Sequence, residues 1–425
     1  MDTTLRSIPA VEIRRAMAWL MVAIALLVWP AFGNPTAYLV LVLALIATPF
    51  TASGRGIAWL LTQSWIRLWL ISFVMIAVAF TLNAQDAADY GHILDFIVLP
   101  LAIPIALLAL LLGPKFNALR LAQFCLASAI VAGIVALYVT FVLHAYRASG
   151  YELSPIQFAD LAVIVGFMAL GGFFVGDGKR NWYLLAGPLF GVMAAMLAGT
   201  RGALLVAAVL GAVFIVFFVL RHRSSTRKKF MMLGALVAIA AAVLAIGDVT
   251  GSTRFFDALT VLGNLASGKE VDSSSAYRLE MLASGWRAFL DAPIYGHGWA
   301  KQLASALPYM SEMGREGYEL EKWGYIHNEA LSFAVGGGGL GLIAYMIWMI
   351  APFIGLRSVP NDTQADARAY FVFTLVGGLV VAGLTEVLFM SELSKTLMIV
   401  LVSVILLACR DASPIAKPSA SMRAA

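Results

Sequence analysis

Three residues far apart in the chain, Arg201, Arg278 and His327, are of the types that together can handle a phosphorylated leaving group. Arg201 stands in Ala198-Gly199-Thr200-Arg201-Gly202, a sharp turn between two apolar runs. Glycines around it let a backbone approach a ligand, and a guanidinium grips phosphate oxygens in a two-pronged fork. The plain alternative is an arginine reaching up to lipid headgroups. Arg278 and Arg287 lie nine positions apart on one helical stretch. At about 100° per residue they face opposite ways, so only one can serve a given site. Arg278 shares its face with Leu282, Gly285 and Phe289, the side suited to packing on a membrane domain, whereas Arg287 is expected to meet solvent or Asp291. A structural ion pair of Arg278 with Glu280 or another acid is the competing role. His327 ends a polar interval and opens the next apolar helix. The positive end of that helix favours a neutral imidazole able to accept a proton, which suits a general base, and an interfacial capping role stands beside it.

Weaker candidates surround these three. His297 sits in Gly296-His297-Gly298 and is the rival base, although a tight turn explains its glycines without chemistry. His144 and Arg147 lie at another helix end, within reach of a headgroup or a substrate. Asp160 and Glu386 fall inside expected spans, where acids are costly unless paired; Arg201 and Arg278 are the candidate partners. Asp95, with Pro100 and Pro104 beyond it, marks a kink. No Gly-rich phosphate loop, HExxH, CxxC pair or serine-triad pattern occurs, so neither a metal nor another cofactor is expected.

The elements that must position these residues are membrane helices. The chain is 61% hydrophobic and 12% charged, with a mean hydropathy of +0.88, which a soluble domain of 425 residues could not hide in its interior. A span takes about 20 mostly apolar residues. Helices are predicted near 16–33, 36–52, 64–84, 92–112, 119–143, 155–175, 182–198, 203–220, 230–246, 328–356, 369–389 and 393–409, roughly twelve in all. The expected fold is therefore an all-α polytopic membrane protein: spans over 1–246, a cap over 247–327, further spans over 328–409 and a disordered tail over 410–425. The first run after Arg14-Arg15 lacks a cleavage pattern and is read as a span. Cys125 and Cys409 fall in or at the ends of spans, which suits buried thiols better than a bridge.

Charge sets the orientation. Arg14, Arg15, Arg55, Lys115, Arg120, Lys179, Arg180, the Arg221–Lys229 cluster, Arg357, Arg368 and Arg410 fall in one set of alternate loops, and the opposite short loops hold only Arg147, Arg201 and Lys395. This asymmetry places both termini in the cytoplasm and the 247–327 interval outside. The net charge of +5 is thus a topology signal, and nucleic acid is not an expected partner. Within the outer interval, Gly263 to Ser275 reads as a flexible stretch, Ser274 or Ser275 caps a helix to about Leu290, and Asp291-Ala292-Pro293 stops it. An amphipathic piece over Lys301–Met310 is expected to lie along the membrane surface. The run Gly336–Gly339 inside a span is poor for helix propensity, but it admits a neighbouring helix or a lipid chain close to the backbone.

Taken together, the outer Thr200-Arg201-Gly202, the Arg-bearing helix followed by Pro293-Ile294-Tyr295-Gly296-His297-Gly298, and His327-Asn328-Glu329-Ala330-Leu331 running into a Gly-rich helix resemble the O-antigen ligase family. The resemblance implies a metal-independent, inverting glycosyltransferase of the GT-C type in the bacterial inner membrane. The implied donor is a glycan on undecaprenyl diphosphate and the implied acceptor is the lipid A-core oligosaccharide. By matching positions, Arg201 and Arg278 would hold the diphosphate and His327 would activate the acceptor hydroxyl, with His297, Asn328, His144 and Arg147 as accessory candidates. His297 departs from the apolar residue expected in its glycine turn. Metal-dependent membrane glycosyltransferases place paired acids in their first outer loop; here that loop is Gly33-Asn34-Pro35-Thr36, without an acid.

Two relatives of the same superfamily, the O-antigen polymerases and the protein O-oligosaccharyltransferases, use the same donor and remain alternatives. A transporter or flippase is the reading from another class. Against it, the notable ionisable residues gather at one face instead of the midplane, and the two halves show no repeat.

Overall fold

The computed structural model describes residues 8–175, 181–221, 273–312, 314–316 and 325–411, with Gly234 and Ser267 as single positions. The span expected at 230–246, most of the stretch 263–275 and the tail from 412 lie outside the described residues. The described chain is helical, with no strand.

Seven of its helices are long and apolar enough to cross a membrane: α1 (Val11–Phe32), α4 (Ser64–Asn83), α6 (Ala118–Val142), α7 (Pro155–Phe174), α9 (Arg201–Arg221), α11 (Glu329–Ser358) and α12 (Ala365–Ala382). Shorter helices accompany them: α2 (Pro35–Thr51), α3 (Gly54–Thr62), α5 (Ala102–Leu110), α8 (Trp182–Leu197), α10 (Ser273–Asp291) and α13 (Glu392–Leu407). This is a polytopic membrane protein. The run expected as a span at 92–112 is a 3-10 turn at Leu94–Phe96 and further turns through Pro100, followed by α5, whose first turn holds Pro104 where a missing N–H is harmless.

The helix starts follow from local chemistry. Side-chain oxygens of Ser53, Asn117, Ser154 and Asn328 accept backbone N–H groups three residues on, at 3.0, 2.9, 3.1 and 2.9 Å. These bonds satisfy donors that a helix start otherwise leaves open. Pro35 and Pro155 occupy first positions, where the missing N–H is harmless.

The helix α7 is buried on almost every side. Small residues let its neighbour come close: a Cβ on Gly166 would meet the Gly187 carbonyl at 2.6 Å, and one on Gly191 the Ala162 carbonyl at 2.5 Å. Such close approach supplies dispersion contact where no hydrophobic effect acts between helices. Between α4 and α11, buried Trp69 Nε1 and Ser72 Oγ donate to the carbonyls of Trp348 and Ala344, at 3.2 and 2.8 Å.

Contacts sort the connections into two ends. At one, Arg221 pairs with Asp366 at 3.3 Å, buried Arg368 with Asp362 at 2.6 Å, and Thr363 Oγ1 with Asp411 at 2.8 Å. At the other, the turns bond to one another: Asn34 to Glu152 and Ser391, at 3.1 and 2.6 Å, and Arg147 to Ala198 at 2.8 Å. The charged loops that the sequence groups together therefore meet in space. Lys395 departs from the expectation of a loop charge. It is fully buried in the first turn of α13, donates to Glu392 and the Asp95 carbonyl, and sits 5.0 Å over the Phe96 ring. Cys125 and Cys409 are free and buried, as expected.

The cap helix α10 begins at Ser273, so Ser274 and Ser275 fall inside its first turn rather than capping it, and it ends at Asp291 ahead of Pro293, as expected. The segment 301–310, expected along the membrane surface, turns its apolar side toward α10. Its Leu303, Ala306 and Met310 join Met281 and Ala288 of α10 and Ile326 and Val335 in a small core, so its apolar side is consumed inside the cap. Buried Trp299 fastens this unit to the bundle, with Phe80, Phe96 and Phe333 at 5.8, 5.1 and 5.0 Å between ring centroids.

The four glycines are not an open groove. At Gly338 (φ +64) α11 breaks, and the 293–298 turn is bonded into the break. His297 N donates to Val335 O at 2.8 Å and Gly298 N to Gly336 O at 2.9 Å. In return, Gly339 N donates to Pro293 O at 2.7 Å and Leu340 N to Ile294 O at 3.2 Å. The backbone that approaches these glycines belongs to the cap, not to a lipid chain.

Candidate functional site

Arg201 is the first residue of α9, reached through a turn in which Gly199 takes φ +62. Arg147 braces that turn from behind: its Nε donates to Ala198 O at 2.8 Å and its Nη2 to Thr200 Oγ1 at 3.3 Å. The glycine after Arg201 is explained by packing, since a Cβ on Gly202 would stand 2.5 Å from Thr385 Oγ1. The start of α9 therefore lies against the 383–391 connection, one residue from Glu386.

His327 reaches the same connection from another direction. Asn328 caps α11 and its Nδ2 donates to Leu384 O at 3.3 Å, while Glu329 N donates to Gly383 O at 2.7 Å. The buried Glu329 carboxylate accepts from Leu388 N at 2.7 Å and Phe389 N at 3.2 Å. These bonds clip 383–389 to the first turn of α11 and bring His327 Nδ1 to 3.4 Å from Glu386 Oε2, with the Glu386 side chain fully buried. Glu386 is outside α12, which ends at Ala382, and its partner is His327 rather than either expected arginine.

Tyr325 completes the arrangement. Its ring is 5.1 Å from that of His327, and its hydroxyl donates to the Glu386 carboxylate. Burial alone would push the Glu386 carboxyl up, but the hydrogen bond and charge of His327, the Tyr325 hydroxyl and the Val387 N–H together hold it below the usual range. The Tyr325 hydroxyl is pushed well up, by burial first and then by the Glu386 charge. Arg278 is half-buried on α10 and lies within electrostatic range of Tyr325 and of Asp160, the wholly buried acid of α7 that also feels Glu386. Its face packs inward as expected: a Cβ on Gly285 would meet Ile326 and Leu331, while Arg287 is exposed. Glu280 is occupied by the Ser311 backbone N–H.

The remaining candidates have structural roles or stand apart. His297 Nε2 donates to Ala288 O at 2.8 Å, which locks its ring to α10. Asn328 acts as a cap, Arg147 as a brace, and His144 is exposed with a left-handed backbone at φ +53. Glu329 and Tyr325 also belong to the site, and the sequence carries no motif for Tyr325. An acid in the first turn of an apolar helix was the available signal for Glu329, and its partners 59 and 60 residues away were not.

The arrangement combines cationic groups, a histidine aligned by a buried carboxylate, and a position at one end of a membrane bundle. That chemistry suits a lipid-borne anion and a hydroxyl to be deprotonated. Residues 186–346, which include Arg201, Arg278 and His327, match the family model described as O-antigen ligase. No curated protein matches the chain.

Proposed function

We propose that this chain, whose residues 186–346 match the O-antigen ligase family model, is a member of that family and moves a glycan from undecaprenyl diphosphate to the lipid A-core oligosaccharide. In this reading the site faces the periplasm, both termini lie in the cytoplasm and the membrane is the bacterial inner membrane. Arg201 and Arg278 hold the diphosphate, and His327 takes the proton of the acceptor hydroxyl as that oxygen attacks the anomeric carbon with inversion.

The observation that carries the reading is the 383–391 connection. It meets the start of α9 beside Arg201 and places Glu386 against His327, within the electrostatic reach of Arg278 on Asp160 and Tyr325. Diphosphate is already a good leaving group, and each charge-assisted bond to it contributes about 1.5–3 kcal/mol. A positioned general base adds about 10² to 10⁴ in rate.

The test is glycan transfer by the purified protein in vesicles. Arg201→Ala, Arg278→Ala and His327→Ala should each insert normally and lose transfer, and full activity in the His327 variant removes the proposed base. A deletion strain separates ligase from polymerase. Long chains stranded on the lipid carrier support the ligase, whereas single repeat units on the core support the polymerase.

A further inference from the structure

Glu386 has no catalytic part in the mechanism above, yet it is the acid whose carboxylate lies against the His327 ring. Its side chain is fully buried, Oε1 accepts from Val387 N at 3.2 Å, and Oε2 is 3.4 Å from His327 Nδ1. The connection that carries it is clipped at both flanks: Glu329 N donates to Gly383 O, and Leu388 N and Phe389 N donate to the Glu329 carboxylate. The charged and titratable groups around it are Tyr325 and His327 before α11, Glu329 in its first turn, Asp160 from α7 and Arg278 from α10. A buried carboxylate standing beside one ring nitrogen favours the tautomer with its proton there and sets the ring orientation.

We propose that Glu386 is a positioning residue for His327: it holds the Nδ1–H and thereby assigns the acceptor proton to Nε2. This rests on the general-base reading of His327. In the step, the acceptor oxygen bonds to the anomeric carbon while the bond from that carbon to the diphosphate oxygen breaks, its electron pair leaving with the diphosphate. The hydroxyl proton passes to Nε2, and the imidazolium that forms keeps its Nδ1–H on the Glu386 carboxylate. Tyr325 lies beside the same carboxylate and helps keep it charged.

The experiment uses the full-length protein in vesicles with an undecaprenyl diphosphate glycan as donor and lipid A-core as acceptor. Glu386→Gln should lower kcat by about 10²-fold or more, the scale of general-base help, with donor KM unchanged. Groups that act as a unit are non-additive, so the double variant Glu386→Gln with His327→Ala should keep the residual rate of His327→Ala alone. Should Glu386→Gln fail to insert, Glu386→Asp takes its place, with a kcat loss of about tenfold expected from the withdrawn carboxylate. Wild-type kcat in whichever variant is measured, a loss confined to KM, or fully additive losses in the double variant each overturn the assignment. An active His327→Ala defeats the general-base reading and this proposal with it. An inactive His327→Ala beside an active Glu386→Gln defeats the positioning role alone.

Discussion

Gly296 and Gly338 face each other with both backbones left-handed, φ +75 and +64, and a Cβ on Gly296 would stand 2.5 Å from Gly338 N. The cap and the broken helix α11 thus meet backbone to backbone. Replacing Gly296 by Ala adds a left-handed penalty of about 1–2 kcal/mol to that steric conflict. Gly296→Ala should lower the thermal unfolding temperature of the detergent-solubilised protein and reduce transfer, and an unchanged melt would show that the break tolerates a side chain.

Arg147 acts on Arg201 through the turn it braces. Arg147→Ala removes two hydrogen bonds from the 198–200 turn and should raise donor KM by about tenfold, the equivalent of about 1.4 kcal/mol. Arg147→Lys should not restore it, because an ammonium cannot span both acceptors as the guanidinium does. Steady-state kinetics with varied donor checks this.

Glu329 is the clip on which the site depends. Glu329→Ala leaves the buried Leu388 and Phe389 N–H groups without their acceptor, at a cost of about 1–3 kcal/mol for each buried group left open. Glu329→Gln keeps one acceptor oxygen and should be milder. Thermal unfolding of both variants should rank them below the wild type in that order.

Lys301 Nζ is 2.9 Å from Asp89 Oδ2, which ties the cap to the turn after α4. The Gln85 backbone N–H first, and then Lys301, hold the Asp89 carboxyl below its ordinary value. A carboxylate whose folded value is depressed stabilises the fold fully above the unfolded value, about 3.9, and that contribution is lost as pH falls through the folded value. Melting temperature should therefore fall below about pH 4, with part of the fall absent in Asp89→Asn. Superimposable pH curves for the two proteins would rule the pair out.

The helical membrane fold, the stop of α10 and the inward face of Arg278 are legible in the sequence because apolar length, proline and helical periodicity act locally. Glu386 reads as part of a span because apolar residues continue on both sides of it; the hydrogen bonds that Leu388 N and Phe389 N donate to Glu329, with Glu329 N to Gly383 O, reveal a bonded connection there. Gly336–Gly339 announced a close approach without naming the approaching chain, since its partners at 293–298 are tied to it by backbone atoms that carry no sequence signature. Lys395 reads as a loop cation until the Asp95 carbonyl and the Phe96 ring are seen to enclose it.

The central claim is that Arg201, Arg278 and His327 serve one lipid-linked diphosphate. An experimental structure with undecaprenyl diphosphate bound tests it most directly. Phosphate oxygens within hydrogen-bonding distance of both guanidinium groups, with the His327 ring on Glu386 and beside the open face of the site, is the predicted result. A diphosphate bound away from either arginine would contradict it.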